Sequence, residues 1–352
     1  MALTPLRTTI MTNETGHAAL HNATNAALNT LASTLDKKVI DIERHGAVGD
    51  GVTENSVAFA SAFAENTATH IPVWIPPGVY RITSPLVVPS RMIMTGAGHS
   101  HSIIYGDGCG VLSMGGEPKQ DYTFADIRFR GAGATLWHFD DWLTRAQVYR
   151  CLFQQLSADQ LIFSNTGGLE QTEFDYCSFT VPKNATNGAI QLTGGASLIQ
   201  NVWRNCITTT CGADHWFFDL NDTYRWVYGN AWINCRFNAY KDSVTPGGFI
   251  RLRSAESCLI ERCGVYDLQT DTYRNDLIWI GTDLTGGVVS VHNSIKQFRR
   301  YAQALAVGVY DVNIDAAEYT LVEQCGGNPA WLFKWRDNGT NTVTVATPAA
   351  DV

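Results

Sequence analysis

The chain carries little charge for its length: Asp, Glu, Lys and Arg make up 16% of 352 residues. Globular proteins ordinarily reach about 25%, so much of this surface falls to Asn, Thr, Ser and Gln. Basic residues are the minority, 25 against 33 acidic ones, for a formal charge of −8. With no basic stripe to neutralise phosphates, nucleic acid is not an expected partner. No apolar run approaches the ~20 residues of a membrane span, so membrane insertion is not expected either. The opening residues, MALTPLRTTIMTNETGH, lack the hydrophobic stretch of a secretory signal, and the chain is expected to stay soluble unless another machine exports it. Nine cysteines include no CxxC pair, so their spacing suggests neither a disulfide framework nor a zinc site.

What is present points to layered β structure. A hydrophobic share of 45% is ample for a large core, and 31 glycines with 11% aromatics suit a turn-rich chain. Six cysteines recur in one frame: Arg150-Cys151-Leu-Phe, Tyr176-Cys177-Ser-Phe, Asn205-Cys206-Ile-Thr, Asn234-Cys235-Arg-Phe, Arg262-Cys263-Gly-Val and Gln324-Cys325. The first five stand 26 (177−151), 29 (206−177), 29 (235−206) and 28 (263−235) residues apart. The gap of 62 from Cys263 to Cys325 spans two repeats, with Asn293-Ser294 at its midpoint as a Ser in place of a Cys. Ile127 with Phe129 fits one repeat before Cys151.

A second ladder runs out of phase with the first. Leu161–Phe163, Ile190–Leu192, Trp216–Phe218, Ile250–Leu252, Leu277–Ile280, Ala304–Val307 and Trp331–Phe333 are short alternating strands. A third set, including Leu198–Val202, Trp226–Tyr228 and Val288–Val291, lies between the two. Three short strands per repeat describe a triangular coil that buries its apolar face only against its neighbours. The expectation is an all-β, right-handed parallel β-helix of roughly 27–30 residues per coil from about Asp41. About seven or eight coils at ~4.8 Å make a rod of roughly 35–40 Å. The cysteines, small and buried like apolar groups, are expected to form an inward stack with no chemical task.

Residues 12–36 read as an amphipathic helix with Leu20, Ala27, Leu28, Leu31 and Leu35 on its apolar side. Its a/d seam is too polar to hold an oligomer unaided, but it can join one assembled by neighbouring surfaces. His17 and His21 stand at metal-ligand spacing without a third ligand, so an exposed helix face is the expectation and no metal site is assigned. The organisation expected is 1–40 as a helical attachment and oligomerisation segment, 41–345 as β-helix with a cap over about 41–70, and 346–352 as a short tail.

The stretch Asp41-Ile-Glu-Arg-His-Gly-Ala-Val-Gly-Asp50-Gly-Val-Thr-Glu-Asn-Ser-Val-Ala-Phe, then Val73-Trp-Ile-Pro-Pro-Gly-Val-Tyr80-Arg-Ile, then Met92-Ile-Met-Thr-Gly-Ala-Gly98, resembles the entrance of the pectate-lyase-like β-helix superfamily. Glu54-Asn55 stands where that pattern commonly has two aspartates. Gly49 and Gly51 are expected to permit a tight turn, Ser56 to Glu65 to cap the first coil, and Pro76-Pro77-Gly78 to end a strand. The residue run GHAALHNATNAALNTLA is similar to short N-terminal helices of tail proteins from phages of actinobacteria. The resemblance, with the missing secretory signal, implies the tailspike and tail-fibre branch. A homotrimer in the virion is the expectation, made in the host cytoplasm and joined to other tail proteins through the N-terminal segment. The 38 aromatic residues (Trp 10, Tyr 13, Phe 15) suit a glycan-binding or self-associating surface.

Alternation along the second ladder aims Gln191, Phe217, Asp219, Arg251, Arg253 and Trp279 outward on successive coils. Indole for stacking, with guanidinium, amide and acid for hydroxyls or carboxylates, makes a host-glycan surface. Excursions at Thr208–Tyr224, Gly264–Asp276 and Trp137–Trp142 supply further candidates. Catalysis is left open. Carboxylate pairs Asp140/Asp141 and Asp219/Asp222 suit glycoside hydrolysis by residue type, and Asp219 beside Arg251 is the best lyase-like pairing. The candidate catalytic residues are thus Asp219, Asp222, Arg251 and Asp140. No cofactor is expected, with Ca²⁺ considered only for a lyase. Three functions follow: a glycan-binding tail protein, a polysaccharide depolymerase on the same scaffold, or a purely structural tail part. The chain ends soon after its last coil, so recognition is expected from the rod itself.

Overall fold

A computed structural model describes residues 38–114 without a break and, from 119 to 346, the strands with their short corners. The longer connections, among them 182–188, 210–215, 221–226, 240–247, 268–276, 282–292 and 301–311, lie outside the described residues. So do residues 1–37 apart from the helical Ala26, which leaves the 12–36 helix, His17 and His21 outside them.

The described chain winds into a right-handed parallel β-helix, as the ladders predict. Every pairing is parallel and joins a strand to its equivalents one coil away. Among the described residues, sheet A has 12 strands, sheet B 11, sheet C 10 and sheet D 6. Eleven steps of ~4.8 Å along sheet A give a rod of about 53 Å, longer than the cysteine ladder alone suggests. The central coils add a fourth strand to the expected three. One such coil runs Gly168–Glu170 in D, Glu173–Asp175 in A, Ser178–Thr180 in B and Ile190–Leu192 in C.

Two of the four corners turn on a single left-handed residue. Between D and A it is Asp121, Arg145, Gln171, Gln200, Gly229 or Ser257; between A and B it is Asp126, Arg150, Tyr176, Asn205, Asn234, Arg262 or Gln297. Left-handed backbone costs an ordinary residue about 1–2 kcal/mol. Bonds to the next coil offset that cost. The amides of Tyr176, Asn205 and Asn234 donate to the carbonyls of Arg204, Ile233 and Glu261 at 3.1, 3.0 and 2.9 Å. Corner side chains also pair outside the rod, as Arg150 does with Asp126 (2.6 Å) and Arg145 with Asp121 (2.7 Å).

The residue after each of these corners points inward, and in the central coils its side chain serves the backbone of the equivalent corner one coil back. On the D–A edge, Asn201 Oδ1 accepts from the Thr172 amide (2.9 Å) and Asn201 Nδ2 donates to the Leu169 carbonyl (2.6 Å). Asn230 repeats the pattern on Asn201 and Leu198, and Asn293 on Cys258 and Ala255. On the A–B edge the inward residue is the cysteine of the repeat. The thiols of Cys177, Cys206, Cys235 and Cys263 donate to carbonyls one coil back at 3.2–3.4 Å. All eight described cysteines are free and buried, as an inward stack requires, and burial pushes the thiols of Cys151, Cys206 and Cys263 well up. The seventh place in this ladder corrects the sequence reading. Phe298, after the left-handed Gln297, fills it, whereas Ser294 opens a sheet A strand and Asn293 belongs to the asparagine ladder.

Aromatic rings fill the space between the ladders. Phe174, Trp203 and Trp232 stack on consecutive sheet A strands, with centroids 5.8 and 5.0 Å apart and planes within 6°. Trp137 enters from sheet C against Phe124, Phe129 and Phe153 at 5.1–5.6 Å. The described aromatics are therefore mostly core, so their abundance is no argument for a sticky surface.

At the entrance, helix α1 (Ser56–Thr69) runs four residues beyond its expected end and seats Phe59, Ala62 and Phe63 on the first coil. Asn55 explains the departure from paired aspartates: its carboxamide accepts from the Val48 amide (2.7 Å) and donates to Thr53 and Arg81 carbonyls (2.7 and 3.2 Å). Gly51 makes the expected positive-φ turn (φ 78°). Gly49 is needed for a close approach instead, since a Cβ there would stand 2.9 Å from the Gly78 Cα.

Asn230→Ala is expected to lower unfolding free energy by about 3 kcal/mol, because it orphans the Asn201 amide and Leu198 carbonyl; urea unfolding measures it, and a loss below 1 kcal/mol would discount the ladder. Native protein is expected to expose at most one thiol per chain to an aromatic disulfide reagent at pH 8, and all nine only when unfolded. Rapid native reaction of several thiols would contradict the inward stack.

Candidate glycan-binding face

Sheet C is the face that carries the sequence-based candidates, and its register is now fixed. Gln191 pairs with Asp219, Asp219 with Arg251, Arg251 with Trp279, and Trp279 with Asn313. Four of the six candidate residues therefore occupy one column on four consecutive coils, a coil step of ~4.8 Å apart. His138 lies in the same column two coils before Gln191, and Arg336 follows Asn313. Inside the strands the predicted alternation holds. Gln191, Arg251 and Trp279 are half-exposed, while Ile190, Ile250, Leu252, Ile278 and Ile280 are buried. Arg253 lies two residues along its strand from Arg251, paired with Gly281 on the next coil.

Phe217 does not belong to the face. It is fully buried, its ring 5.2 Å from Phe218 and 6.4 Å from Phe179. The reason is a corner. Six consecutive sheet C strands are entered through two consecutive buried residues, Leu136/Trp137, Leu161/Ile162, Ala189/Ile190, Phe217/Phe218, Phe249/Ile250 and Leu277/Ile278. The first of each pair fills the B–C corner, so strict alternation starts one residue later than the pattern suggests. Trp216, just before that corner, is buried as the sequence reading placed it. It is 8% exposed, and the Arg251 guanidinium lies 5.9 Å from its ring centroid. An arginine held over an aromatic face is oriented as well as stabilised, which preorganises Arg251 for a planar carboxylate or a pair of hydroxyls.

Two residues were missed by sequence reasoning. Trp216 was counted only as core, without its contact to Arg251; His138 was legible by carrying the ladder one strand earlier, through Trp137–Phe139. Asp140, Asp141 and Asp222 lie outside the described residues, as do Asp214, His215, Asp271, Tyr273 and Arg274 of the proposed excursions. The excursion expected from Gly264 begins later, because Gly264–Asp267 is a sheet B strand. Similarly, sheet C continues through Val312–Asp315 and Trp335–Asp337, where the pattern suggested 304–307 and 331–333. Among the described residues no three His, Cys, Asp or Glu side chains converge as metal ligands.

The column is a strip of residues in register along sheet C. Its chemistry is stacking, amide and guanidinium hydrogen bonding, and one acid. The fold and this strip define a β-helix with a polar and aromatic column on sheet C. The profile of the family described as "Rhamnogalacturonase A/epimerase, pectate lyase-like" matches residues 39–214, half of the chain. The chain belongs to that family. It is 34% identical over 65 residues to a pre-neck appendage protein of Bacillus phage B103, a match spanning 18% of this chain and 7% of the relative. A preneck appendage protein of Bacillus phage PZA matches at 32% over the same length, again 7% of the relative. Among solved structures, the tailspike protein of Acinetobacter baumannii phage AM24 superposes with a TM-score of 0.51 at 11% identity, covering 88% of this chain and 53% of that one. That likeness shows the fold alone.

Arg251→Ala is expected to cost under about 1 kcal/mol of stability, because its half-exposed side chain lies outside the buried core. A loss above 3 kcal/mol in urea unfolding would make Arg251 part of the frame and not of a binding face.

Proposed function

We propose that this chain is a bacteriophage tail-associated protein that binds glycan of the host envelope along its sheet C face. The observation that carries the glycan half is the column of Gln191, Asp219, Arg251 and Trp279 in register on consecutive coils. A repeating sugar chain needs repeating contacts, and a coil step supplies them at constant spacing. Support for the phage half comes from the local identity with the appendage proteins of Bacillus phages. In this reading three copies associate in the virion, and the N-terminal segment joins other tail proteins.

A second reading, a depolymerase, is favoured by one detail: Asp219 and Arg251 are direct neighbours across two coils. Acid beside guanidinium is the pairing a lyase uses to hold a uronate and take its proton. The same experiment separates the two.

Purified protein incubated with host envelope polysaccharide is expected to bind, and Trp279→Ala to weaken binding about tenfold, the value of one aromatic stacking contact. Gln191→Ala is expected to weaken it less. Unchanged binding in both variants would remove the sheet C face from the reading. Shortened polymer that survives in Asp219→Ala would rule out catalysis at this pair, whereas polymer of constant length leaves a binder.

A further inference from the structure

Five outward arginines each hold a carboxylate: Arg81 with Asp107, Arg145 with Asp121, Arg150 with Asp126, Arg204 with Glu173 and Arg262 with Glu261, at 2.6–3.4 Å. Two arginines on sheet B do not. Arg128 and Arg130 stand two residues apart on the strand Arg128–Ala132, both outward and half-exposed, and neither has a carboxylate partner among the described residues. We propose that this pair is an anion subsite for the carboxylate or phosphate group of an acidic sugar. It lies on a different sheet from the Gln191–Trp279 column and goes beyond the function proposed above.

Neighbouring coils set the surroundings of the pair. Arg130 is in register with Tyr105 one coil back and with Gln154 one coil on. Its guanidinium carbon lies 5.3 Å from the Tyr105 ring centroid, which orients the plane of the fork. No hydrogen bond uses that fork: Arg130 Nε is buried without an acceptor, and Gln154 Oε1 is buried without a donor. A buried polar atom left unmatched costs free energy, so each of the two favours a ligand that brings the missing partner. Arg128 donates through Nε to the His99 carbonyl (3.0 Å), which leaves its two Nη groups for an anion.

Charge and hydrogen bonding select the ligand. The two cations repel each other: burial, and after it the Arg130 charge, hold the Arg128 guanidinium below its ordinary pKa. An anion between them relieves that repulsion. Asp107, on the preceding coil and two residues beyond Tyr105, is already bound by Arg81 through Nε and Nη2 (both 2.8 Å), with the Tyr105 hydroxyl donating to it at 3.4 Å. It leaves the pair uncompensated. A bare ion would match the arginines alone, whereas Gln154 Oε1 also calls for a hydroxyl. Beyond Gln154 the row continues through Thr180, Thr209 and Asn238 on three successive coils, all neutral hydrogen-bonding side chains. One acidic group with hydroxyls beside it is the chemistry of a uronic acid or a sugar phosphate. An arginine fork binds either oxyanion through paired N–H groups.

The test is calorimetric titration of the full chain with glucuronate, glucose 6-phosphate and glucose. At least one of the two acids is expected to bind in the millimolar range, and glucose not to bind; which acid binds tells carboxylate from phosphate. Arg130→Gln and Arg128→Gln are each expected to weaken that binding about tenfold, the value of one charge-assisted hydrogen-bonded contact, with circular dichroism and melting unchanged. Arg251→Gln on sheet C is expected to leave it intact. Glucose binding as well as the acids, no binding of any of the three, or acid binding unchanged in both sheet B variants overturns the assignment. So does acid binding that is lost in Arg251→Gln and kept in Arg130→Gln, which would place the site on sheet C. Host polysaccharide binding by Trp279→Ala reads the sheet C function separately, so each reading can fail alone.

Discussion

A parallel coil cannot satisfy its own backbone. Each strand's amides and carbonyls reach only the coils above and below, so the chain must turn corners without leaving buried polar groups unmatched. At two corners per coil this is solved with one left-handed residue followed by one inward residue, whose side chain in the central coils completes the bonding. An asparagine does so on the D–A edge, where amide and carbonyl both need partners, and a thiol on the A–B edge, where one carbonyl does. The stacked rings follow from the same constraint. Equivalent strand positions lie one coil step apart, so large flat side chains at equivalent positions must stack, as Trp203 and Trp232 do.

Those two solutions made the fold readable in the sequence. The residue pair at the A–B edge, a polar or charged residue then Cys, recurs because both places are constrained: the first by backbone conformation, the second by the volume left beside a carbonyl. The entrance was legible for a related reason, since Gly49 and Gly78 touch and Asn55 knits three backbone segments. The failures were failures of phase. Ser294 mimicked the cysteine place because the preceding connection is longer, and only the left-handed Gln297 shows that Phe298 is the equivalent residue. Phe217 was aimed outward because alternation was carried through a corner that adds one inward residue. The coil count fell short because the early coils use Ile127 and other aliphatics in place of the thiol, which periodic cysteine cannot reveal. Within the strands, where the two-residue period is physical, Gln191, Asp219, Arg251 and Trp279 fell into register.

The same corner chemistry decides where function has room. From Lys119 onward the described D–A and A–B turns leave two residues between strands, so an insertion there would break a ladder. Connections on either side of sheet C obey no such limit. Between Arg253 and Ala255 a single residue suffices, while 221–226 separate Leu220 from Val227 and 240–247 precede the entry to Phe249. Among the described residues no ladder of hydrogen-bonding side chains, like the asparagines or the thiols, ties the corners that flank sheet C, and there the length varies. The rod therefore has one face bordered by variable connections and two edges, D–A and A–B, of uniform short turns. Recognition of a varied ligand needs the first, since borders can change while the strands keep their register. One backbone rule, applied at some corners and relaxed at others, separates the two surfaces.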